Sequence, residues 1–215
     1  MPDIANSNLI VGNALAIDEW TRVELPASEE VVRKQAGKVV LFKLTGEVNV
    51  TPEQIAATVI PAKGKILVPL VVWRDRKGEL QERLTKGEVG VWLATHEPVE
   101  TLAELEPDLN VFPLIGVFVE RFADGRNFSI GTLLRTRYGY RNGLRAYGDV
   151  LRDQLFFLKR CGFDSYLIRA DRSAAEALAS LKDFSEPYQG AVDEPLPAWR
   201  RFADLSPRTW GTVAW

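Results

Sequence analysis

Hydrophobic and polar positions alternate in blocks along the centre of the chain. Apolar runs that fit buried strands occupy residues 67–73, 89–93, 111–119, 144–147 and 165–168. Segments with helical periodicity lie between or after them, at 75–84, 98–105, 129–138, 149–162 and from 173 onward. Apolar strands that alternate with helices indicate right-handed βαβ units around a mainly parallel sheet. We therefore predict an α/β fold of about five βα units, arranged as an open three-layer sandwich rather than a closed eightfold barrel.

The segments on either side of this repeating pattern differ from it. Residues 1–38 fit an irregular or hairpin-like lead-in, and residues 39–44 form a strand-like apolar run. Thr51, Pro52 and Gln54 predict a short helix, as its N-cap, first helical residue and capping-box partner. Residues 186–215 contain four prolines and three tryptophans, which predicts an extended tail that packs on its own domain or on a second subunit. The predicted organisation is an N-terminal β/α extension (1–65), an α/β domain (66–185) and an extended C-terminal tail (186–215).

Composition and charge narrow the class of protein. The chain of 215 residues is 46% hydrophobic and 26% charged, as in ordinary soluble proteins. No apolar run approaches the ~20 residues that span a bilayer, the sequence shows no secretory signal, and the single Cys161 cannot form an intrachain disulfide. These features predict a cytoplasmic protein that binds no membrane. The net charge of −2 argues against a nucleic-acid binder.

Arginine is concentrated between residues 120 and 160. This stretch holds eight arginines and one lysine against four acidic residues, a net charge of +5, whereas the rest of the chain carries −7. A guanidinium group is planar, permanently charged and suited to carboxylates, phosphates and similar oxyanions. The stretch therefore predicts either a site for a small oxyanion or a docking surface for an acidic partner.

Two predicted loops place charged residues where ligands bind in parallel α/β sheets, beyond the carboxyl ends of the strands. Asp124 and Arg126 follow the third predicted strand, while Arg145 lies in the fourth and Asp149 follows it. We expect these four residues to converge. We interpret Arg126, Arg135 and Arg145 as anion-binding residues, and Asp124 and Asp149 as catalytic candidates. The simpler interpretations are a turn role for Asp124 and a helix N-cap for Asp149.

Other polar residues give weaker signals. Gln154 interrupts an apolar helical face, and we interpret it as a buried hydrogen-bonding residue in preference to a site contact. His96, the single histidine, is interpreted as a surface loop residue, and one histidine with one cysteine argues against a zinc site. Glycine-rich nucleotide motifs and cysteine sets for iron–sulfur clusters are absent from the sequence. The sequence thus leaves the cofactor unknown.

Several sequence phrases resemble the bacterial domain of unknown function 934 family over about residues 66–201. The phrases are ILVPL (66–70), GVWL (90–93), FADGR (122–126), LLRTRYG (133–139), LRAYGDVLRDQ (144–154) and CGFD (161–164). The resemblance implies a role in sulfite reduction, as an oxidoreductase or electron-transfer component with sulfite reductase as its partner. It implies no catalytic residues. Sulfite is an oxyanion, so an arginine-rich anion site is compatible with this role.

Three functional hypotheses follow from the sequence. The first is an oxidoreductase or electron-transfer protein of assimilatory sulfur metabolism with an anion site. The second is a non-catalytic accessory protein that docks on sulfite reductase through its arginines and its tail. The third, which has the least support, is a hydrolase or isomerase using Asp124 and His96. The sequence leaves open whether the protein forms a homo-oligomer.

Overall fold

A curled sheet of eight strands forms the centre of the computed structural model, which describes residues 7–26 and 50–202. The strands are β1 (Leu9–Val11), β2 (Ala14–Ala16), β3 (Trp20–Arg22), β4 (Lys65–Pro69), β5 (Val89–Ala94), β6 (Leu114–Val119), β7 (Gly143–Gly148) and β8 (Ser165–Leu167). The α-helices of the described residues are α1 (Pro52–Ala57), α2 (Leu70–Thr85), α3 (Val99–Leu105), α4 (Arg126–Thr136), α5 (Leu155–Arg160), α6 (Ala174–Ala177) and α7 (Ala198–Arg201). Short 3-10 turns occupy Leu109–Val111, Arg152–Gln154 and Leu178–Lys182.

The strands follow the order β2-β1-β8-β7-β6-β5-β4-β3 across the sheet. Strands β3 to β8 pair in parallel, whereas β1 pairs antiparallel with β8 and β2 pairs antiparallel with β1. This arrangement confirms the predicted α/β fold with a mainly parallel sheet. The β1–β2 pair is a hairpin, which was one of the two alternatives, irregular or hairpin-like, left open for the first residues.

The sheet curls because its two outermost strands are joined by a very short connection. Strands β2 and β3 lie at opposite ends of the strand order, yet only residues 17–19 separate them along the chain. Side chains make contact across the curl: the guanidinium carbon of Arg22 lies 5.1 Å from the ring centroid of Tyr147 on β7. The indole Nε1 of Trp92 on β5 donates a hydrogen bond of 3.1 Å to the carbonyl of Val23. We call the space enclosed by the curled sheet the interior.

The two faces of the sheet carry separate hydrophobic clusters. Apart from Phe156, the buried apolar side chains of helices α1 to α6 lie in one large cluster with outward strand residues such as Ile115 and Val117. The smaller cluster, in the interior, contains no helical residue and is formed by Leu67, Leu114 and Tyr147 with Trp20, Trp92, Phe118 and Leu167. The predicted three-layer sandwich and the count of five units are therefore not confirmed.

Gly116 on β6 makes this interior packing possible. A Cβ added there would lie 2.9 Å from Leu67 Cδ2, 3.0 Å from Tyr147 Cε1 and 3.2 Å from Trp92 Cβ. These separations are shorter than ordinary carbon–carbon contacts of about 3.5–4.0 Å. A residue without a side chain at position 116 therefore lets the aromatic rings approach the backbone of β6.

Several element boundaries differ from the sequence prediction. Strand β4 ends at Pro69 and α2 begins at Leu70, although the apolar run to Trp73 predicted a longer strand. Leu70, Val72 and Trp73 are all buried, so the run shows no polar face by which periodicity could reveal a helix. Helix α4 begins at Arg126, three residues before the predicted start.

The predicted helix 149–162 is replaced by a 3-10 turn followed by the short helix α5. Asp149 caps neither the 3-10 turn nor α5. The carboxylate of Asp149 instead accepts hydrogen bonds from Phe122 N and Arg169 Nη1. The interpretation of Asp149 as an N-cap was therefore wrong, because its carboxylate binds the loop after β6 and Arg169, which follows β8.

The segments outside the repeating pattern are described in part. Thr51 caps α1 in the predicted capping box, with Pro52 in its first turn and Gln54 as the reciprocal partner. The predicted strand 39–44 lies outside the described residues. In the tail, Asp193 pairs with buried Arg160 of α5 at 2.8 Å and Val192 N donates to the Arg160 carbonyl at 3.0 Å, so this part of the tail contacts its own domain, whereas Trp199 is 56% exposed. The last two tryptophans of the tail lie outside the described residues.

Within residues 7–26 and 50–202, no helix has the length and apolar character needed to cross a bilayer.

Candidate functional site

The loops that follow β5 to β8 bring charged residues together at one edge of the sheet, which we call the carboxyl edge. Asp124, after β6, accepts two hydrogen bonds from Arg126, Nε to Oδ1 at 2.9 Å and Nη2 to Oδ2 at 2.8 Å. The hydroxyl of Thr95, after β5, donates a short hydrogen bond to the same carboxylate. The side chain of Asp124 is 6% exposed and that of Arg126 is 45% exposed. Asp124 therefore fixes the direction of a guanidinium that reaches solvent.

Electrostatics set the protonation state of this pair. The hydrogen bonds from Arg126, with that from Thr95, hold the pKa of Asp124 well below its usual range, against the opposing effect of burial. The same ion pair raises the pKa of Arg126. Both groups are charged at neutral pH, so Asp124 holds no proton to donate there. The geometry fits an orienting role for Asp124 better than proton transfer.

A second carboxylate–arginine pair lies at the same edge. Asp149, after β7, accepts from Phe122 N at 2.8 Å and from Arg169 Nη1 at 2.7 Å. Arg169, after β8, also donates to both carboxylate oxygens of Asp171, at 2.6 and 3.0 Å. Hydrogen bonds to Asp171 and Asp149 raise the pKa of Arg169. Loop residues 120–125 thus connect the two pairs, because this loop supplies both Asp124 and the amide that binds Asp149.

Gly148 and Gln154 hold this loop arrangement in place. Gly148 has φ +102°, and a Cβ there would lie 2.3 Å from the carbonyl oxygen of Val119. Only glycine therefore allows the tight turn that leads to Asp149. Gln154 is buried, donates Nε2 to Phe122 O at 3.0 Å and accepts from Leu151 N at 3.2 Å. The interpretation of Gln154 as a buried hydrogen-bonding residue is confirmed.

Arg135 lies away from the carboxyl edge, near the start of β7 and β8. Its guanidinium donates to the carbonyls of Gly162 (2.8 Å), Tyr140 (2.9 Å) and Asn142 (2.8 Å), and to Asp164 Oδ2 (2.9 Å). With its side chain 12% exposed, Arg135 connects the end of α4 to the beginnings of two strands. This position gives it a structural role apart from the loops that carry Arg126.

Arg145 lies in the interior. It is buried in the middle of β7, donates Nη1 to Asp18 Oδ1 at 2.8 Å and donates Nε to Ser165 Oγ at 3.0 Å. Asp124, Arg126 and Asp149 therefore share the carboxyl edge, whereas Arg145 points to the inside of the curl. The expected convergence included Arg145, but Arg145 lies in the middle of β7 and faces the interior, whereas Asp149 follows the carboxyl end of that strand.

Three residues at the carboxyl edge were not singled out from the sequence. Arg169 follows the last predicted strand, so the rule that identified Asp124 could have identified it too. Glu97 follows β5 and accepts a hydrogen bond from Ala94 N, and burial raises its pKa. Asn127, in the first turn of α4, is fully buried, and neither amide atom hydrogen-bonds within the part of the chain that the structure describes.

The first turn of α4 adds positive potential to this edge. Backbone N–H groups at a helix start, together with the helix dipole, favour anions. Arg126 is the first residue of α4, and its own amide is already bound to Asp124 Oδ1 at 3.2 Å. His96 lies exposed in the turn after β5, at the same edge. Among residues 7–26 and 50–202, no cluster of three or more His, Cys, Asp and Glu could hold a metal ion.

Fold and site together define a mainly parallel α/β protein with two carboxylate-oriented arginines at the carboxyl edge of its sheet. The chain belongs to a family described as bacterial protein of unknown function (DUF934), whose model matches residues 90–199. The matched range runs from β5 to the tail and includes Asp124, Arg126, Asp149 and Arg169. Comparisons with curated proteins and with solved structures found no match.

Proposed function

We propose that the protein binds a small sulfur oxyanion, such as sulfite, at its carboxyl edge and acts in the sulfite reduction of cytoplasmic sulfur metabolism. The observation that carries this proposal is the geometry of Arg126. Its guanidinium is fixed by two hydrogen bonds to a nearly buried carboxylate while 45% of the side chain stays exposed. A group held in this way loses little conformational entropy when an anion binds.

Arg169 strengthens the same site. Its side chain is 37% exposed, and it is also oriented by carboxylates, those of Asp149 and Asp171. The loop that carries Asp124 connects the two arginines, and the start of α4 favours negative charge at that loop. A tetrahedral or pyramidal oxyanion can accept hydrogen bonds from donors on more than one side, which suits two separate guanidinium groups.

The redox part of the proposal rests on the family resemblance. In that role the protein is an oxidoreductase or electron-transfer component, and the carboxyl edge holds the oxyanion during reduction. The residues at this edge bind and orient the anion. Asp124 is ionised at neutral pH and keeps Arg126 in place.

Sulfite binding to the purified full-length protein, measured by calorimetry, tests the anion site. Arg126→Gln should weaken binding about tenfold or more, because a charge-assisted hydrogen bond contributes about 1.5–3 kcal/mol. Arg126→Lys keeps the charge and loses the two-point geometry, so it should give an intermediate affinity. Arg137→Gln is the matched control, since Arg137 is exposed and pairs with Glu100. Equal sulfite affinity in wild type and Arg126→Gln would show that Arg126 does not bind sulfite and would contradict the proposed site at the carboxyl edge.

A second candidate function, a non-catalytic accessory protein for sulfite reductase, is favoured by exposed aromatic residues. Phe157 on α5 is 52% exposed, and Phe184 and Trp199 are exposed in the segment that follows. Phe184 packs on Phe156, with ring centroids 4.9 Å apart, which keeps part of this surface in a fixed arrangement. Exposed apolar groups of this kind often mark a docking surface.

Co-purification with sulfite reductase tests the docking role. Phe157→Ser combined with Trp199→Ser should reduce capture of the reductase, whereas Val59→Ser, which changes an exposed apolar residue elsewhere, should not. Undiminished capture by the double variant would argue against this surface as the contact.

A further inference from the structure

The interior of the curled sheet contains a cavity that is separate from the carboxyl edge. Two adjoining spaces of about 230 and 210 Å³ share Trp20 and Arg145 in their walls. The second space alone has the volume of roughly seven liquid water molecules. It can therefore hold a small molecule, smaller than the ligands of typical drug-sized pockets.

Hydrogen-bond donors outnumber acceptors around the second space. The hydroxyl of Tyr147 is buried and has no hydrogen-bond partner among the described residues. Burial raises the pKa of this phenol well above its usual value, so the hydroxyl keeps its proton and can donate. Arg145 uses Nε and Nη1 for Ser165 and Asp18, while its Nη2 hydrogen-bonds to no described residue. Arg22 adds a third donor group, with its guanidinium 5.1 Å from the Tyr147 ring.

Positive charge exceeds negative charge among the residues that line this space, because Arg22 and Arg145 lie there with the single carboxylate of Asp18. Asp18 Oδ1 accepts from both Arg145 Nη1 and Trp20 N. Glu24 accepts from Arg22 outside the lining of the space. A buried donor without a partner costs free energy, about 1–3 kcal/mol, which a ligand acceptor would recover. The space therefore fits a ligand that brings oxygen acceptors and negative charge.

The remaining walls are apolar. Leu67 and Leu167 line the second space, and Trp20 lines both spaces. A bare inorganic oxyanion would leave these walls without contacts, whereas an acid with a compact hydrocarbon body would cover them.

We propose that this interior cavity binds a small organic monocarboxylate, with its carboxylate on Tyr147, Arg145 and Arg22 and its apolar body against Trp20, Leu67 and Leu167. This site is independent of the proposed sulfite site at the carboxyl edge. The two sites share no residue, and they select different ligands: one takes an inorganic oxyanion and the other takes an acid with an apolar body.

Calorimetric titration of the full-length protein with benzoate and with 3-methylbutanoate tests this proposal. At least one of these acids should bind at millimolar concentration or below, and benzamide, which matches benzoate in shape without its charge, should bind at least tenfold more weakly. Saturating sulfite should not displace the bound acid, and Arg126→Gln should leave its affinity unchanged. Failure of both acids to bind, equal binding of benzamide, or displacement by sulfite would each overturn the proposal.

Tyr147→Phe separates binding from folding. The change removes a buried hydroxyl that makes no hydrogen bond, so the thermal midpoint should stay the same or rise. Affinity for the acid should fall about tenfold or more, because the lost hydrogen bond is to a charged group. Tyr188→Phe, at an exposed tyrosine outside the cavity, is the matched control and should change neither quantity. Unchanged affinity in Tyr147→Phe would refute the role of the hydroxyl and with it the assigned site.

Discussion

Replacing Arg135 by glutamine should destabilise the fold strongly and leave sulfite binding intact. The wild-type guanidinium makes four hydrogen bonds, three to backbone carbonyls and one to Asp164, with a side chain only 12% exposed. Hydrogen bonds that involve a charged group contribute about 1.5–3 kcal/mol each, and breaking such a buried set costs about 3–5 kcal/mol in all, because glutamine and water recover part of the loss.

A loss of this size is a large share of the 5–15 kcal/mol by which domains are usually stable. For a chain of this length it corresponds to a fall in the thermal midpoint of about 10 °C. Urea unfolding followed by tryptophan fluorescence measures the free energy directly, and an unchanged slope with denaturant would show that the folded state keeps its compactness.

The control is the same substitution two residues further along the chain. Arg137 is 63% exposed and pairs with Glu100 at 3.3 Å, so Arg137→Gln should change the free energy of unfolding by less than about 0.5 kcal/mol. A cost below about 1 kcal/mol for Arg135→Gln would refute the structural role worked out from its contacts. A well-folded Arg135→Gln protein that no longer binds sulfite would also refute this structural role, because sulfite binding would then depend on Arg135.

Two further predictions concern the packing of the interior around Gly116 and the loss of folding stability at low pH. Gly116→Ala should cost about 1–3 kcal/mol in urea unfolding, because its Cβ would lie within 3.2 Å of three interior atoms. Gly78→Ala, in open space on α2, should instead stabilise by about 0.5–1 kcal/mol, and a neutral Gly116→Ala would contradict the tight interior. The lowered pKa of Asp124 contributes stability above its unfolded value of about 3.9, and this stability is lost as the pH falls toward the folded value. Asp124→Asn should therefore lose less stability than wild type between about pH 5 and pH 2, and parallel stability curves would be inconsistent with the Arg126 pair.

The sequence was sufficient to predict the features that depend on local pattern. Apolar runs of about six residues between helical segments predicted β5, β6 and β7 and the parallel sheet. Local hydrogen-bonding chemistry predicted the capping box at Thr51. The rule that ligands lie beyond parallel strands placed Asp124, Arg126 and Asp149 at one edge of the sheet.

What the sequence could not predict depends on contacts between distant residues. Strands β1 to β3 have three residues each, too few for a clear alternation of polar and apolar positions. The curl follows from the short connection between β2 and β3 and from the pairing of these outermost strands with β1 and β4. Pairing between distant segments leaves no local pattern in the sequence. Arg135 was predicted to bind an anion because a guanidinium suits oxyanions, and the sequence does not show that this group donates to the carbonyls of Gly162, Tyr140 and Asn142.

The pairing of β1 with β8 has a consequence for synthesis on the ribosome. Ile10 pairs with Tyr166, so the second partner of the first strand emerges only after most of the chain has been made. At ordinary translation speeds this delay is on the order of ten seconds. During that time the β1–β2 hairpin has an open strand edge, and two-stranded hairpins are marginally stable alone. The nascent chain therefore cannot complete its sheet strand by strand: closure of the curl is a late event in which the beginning of the chain joins its last parallel strand.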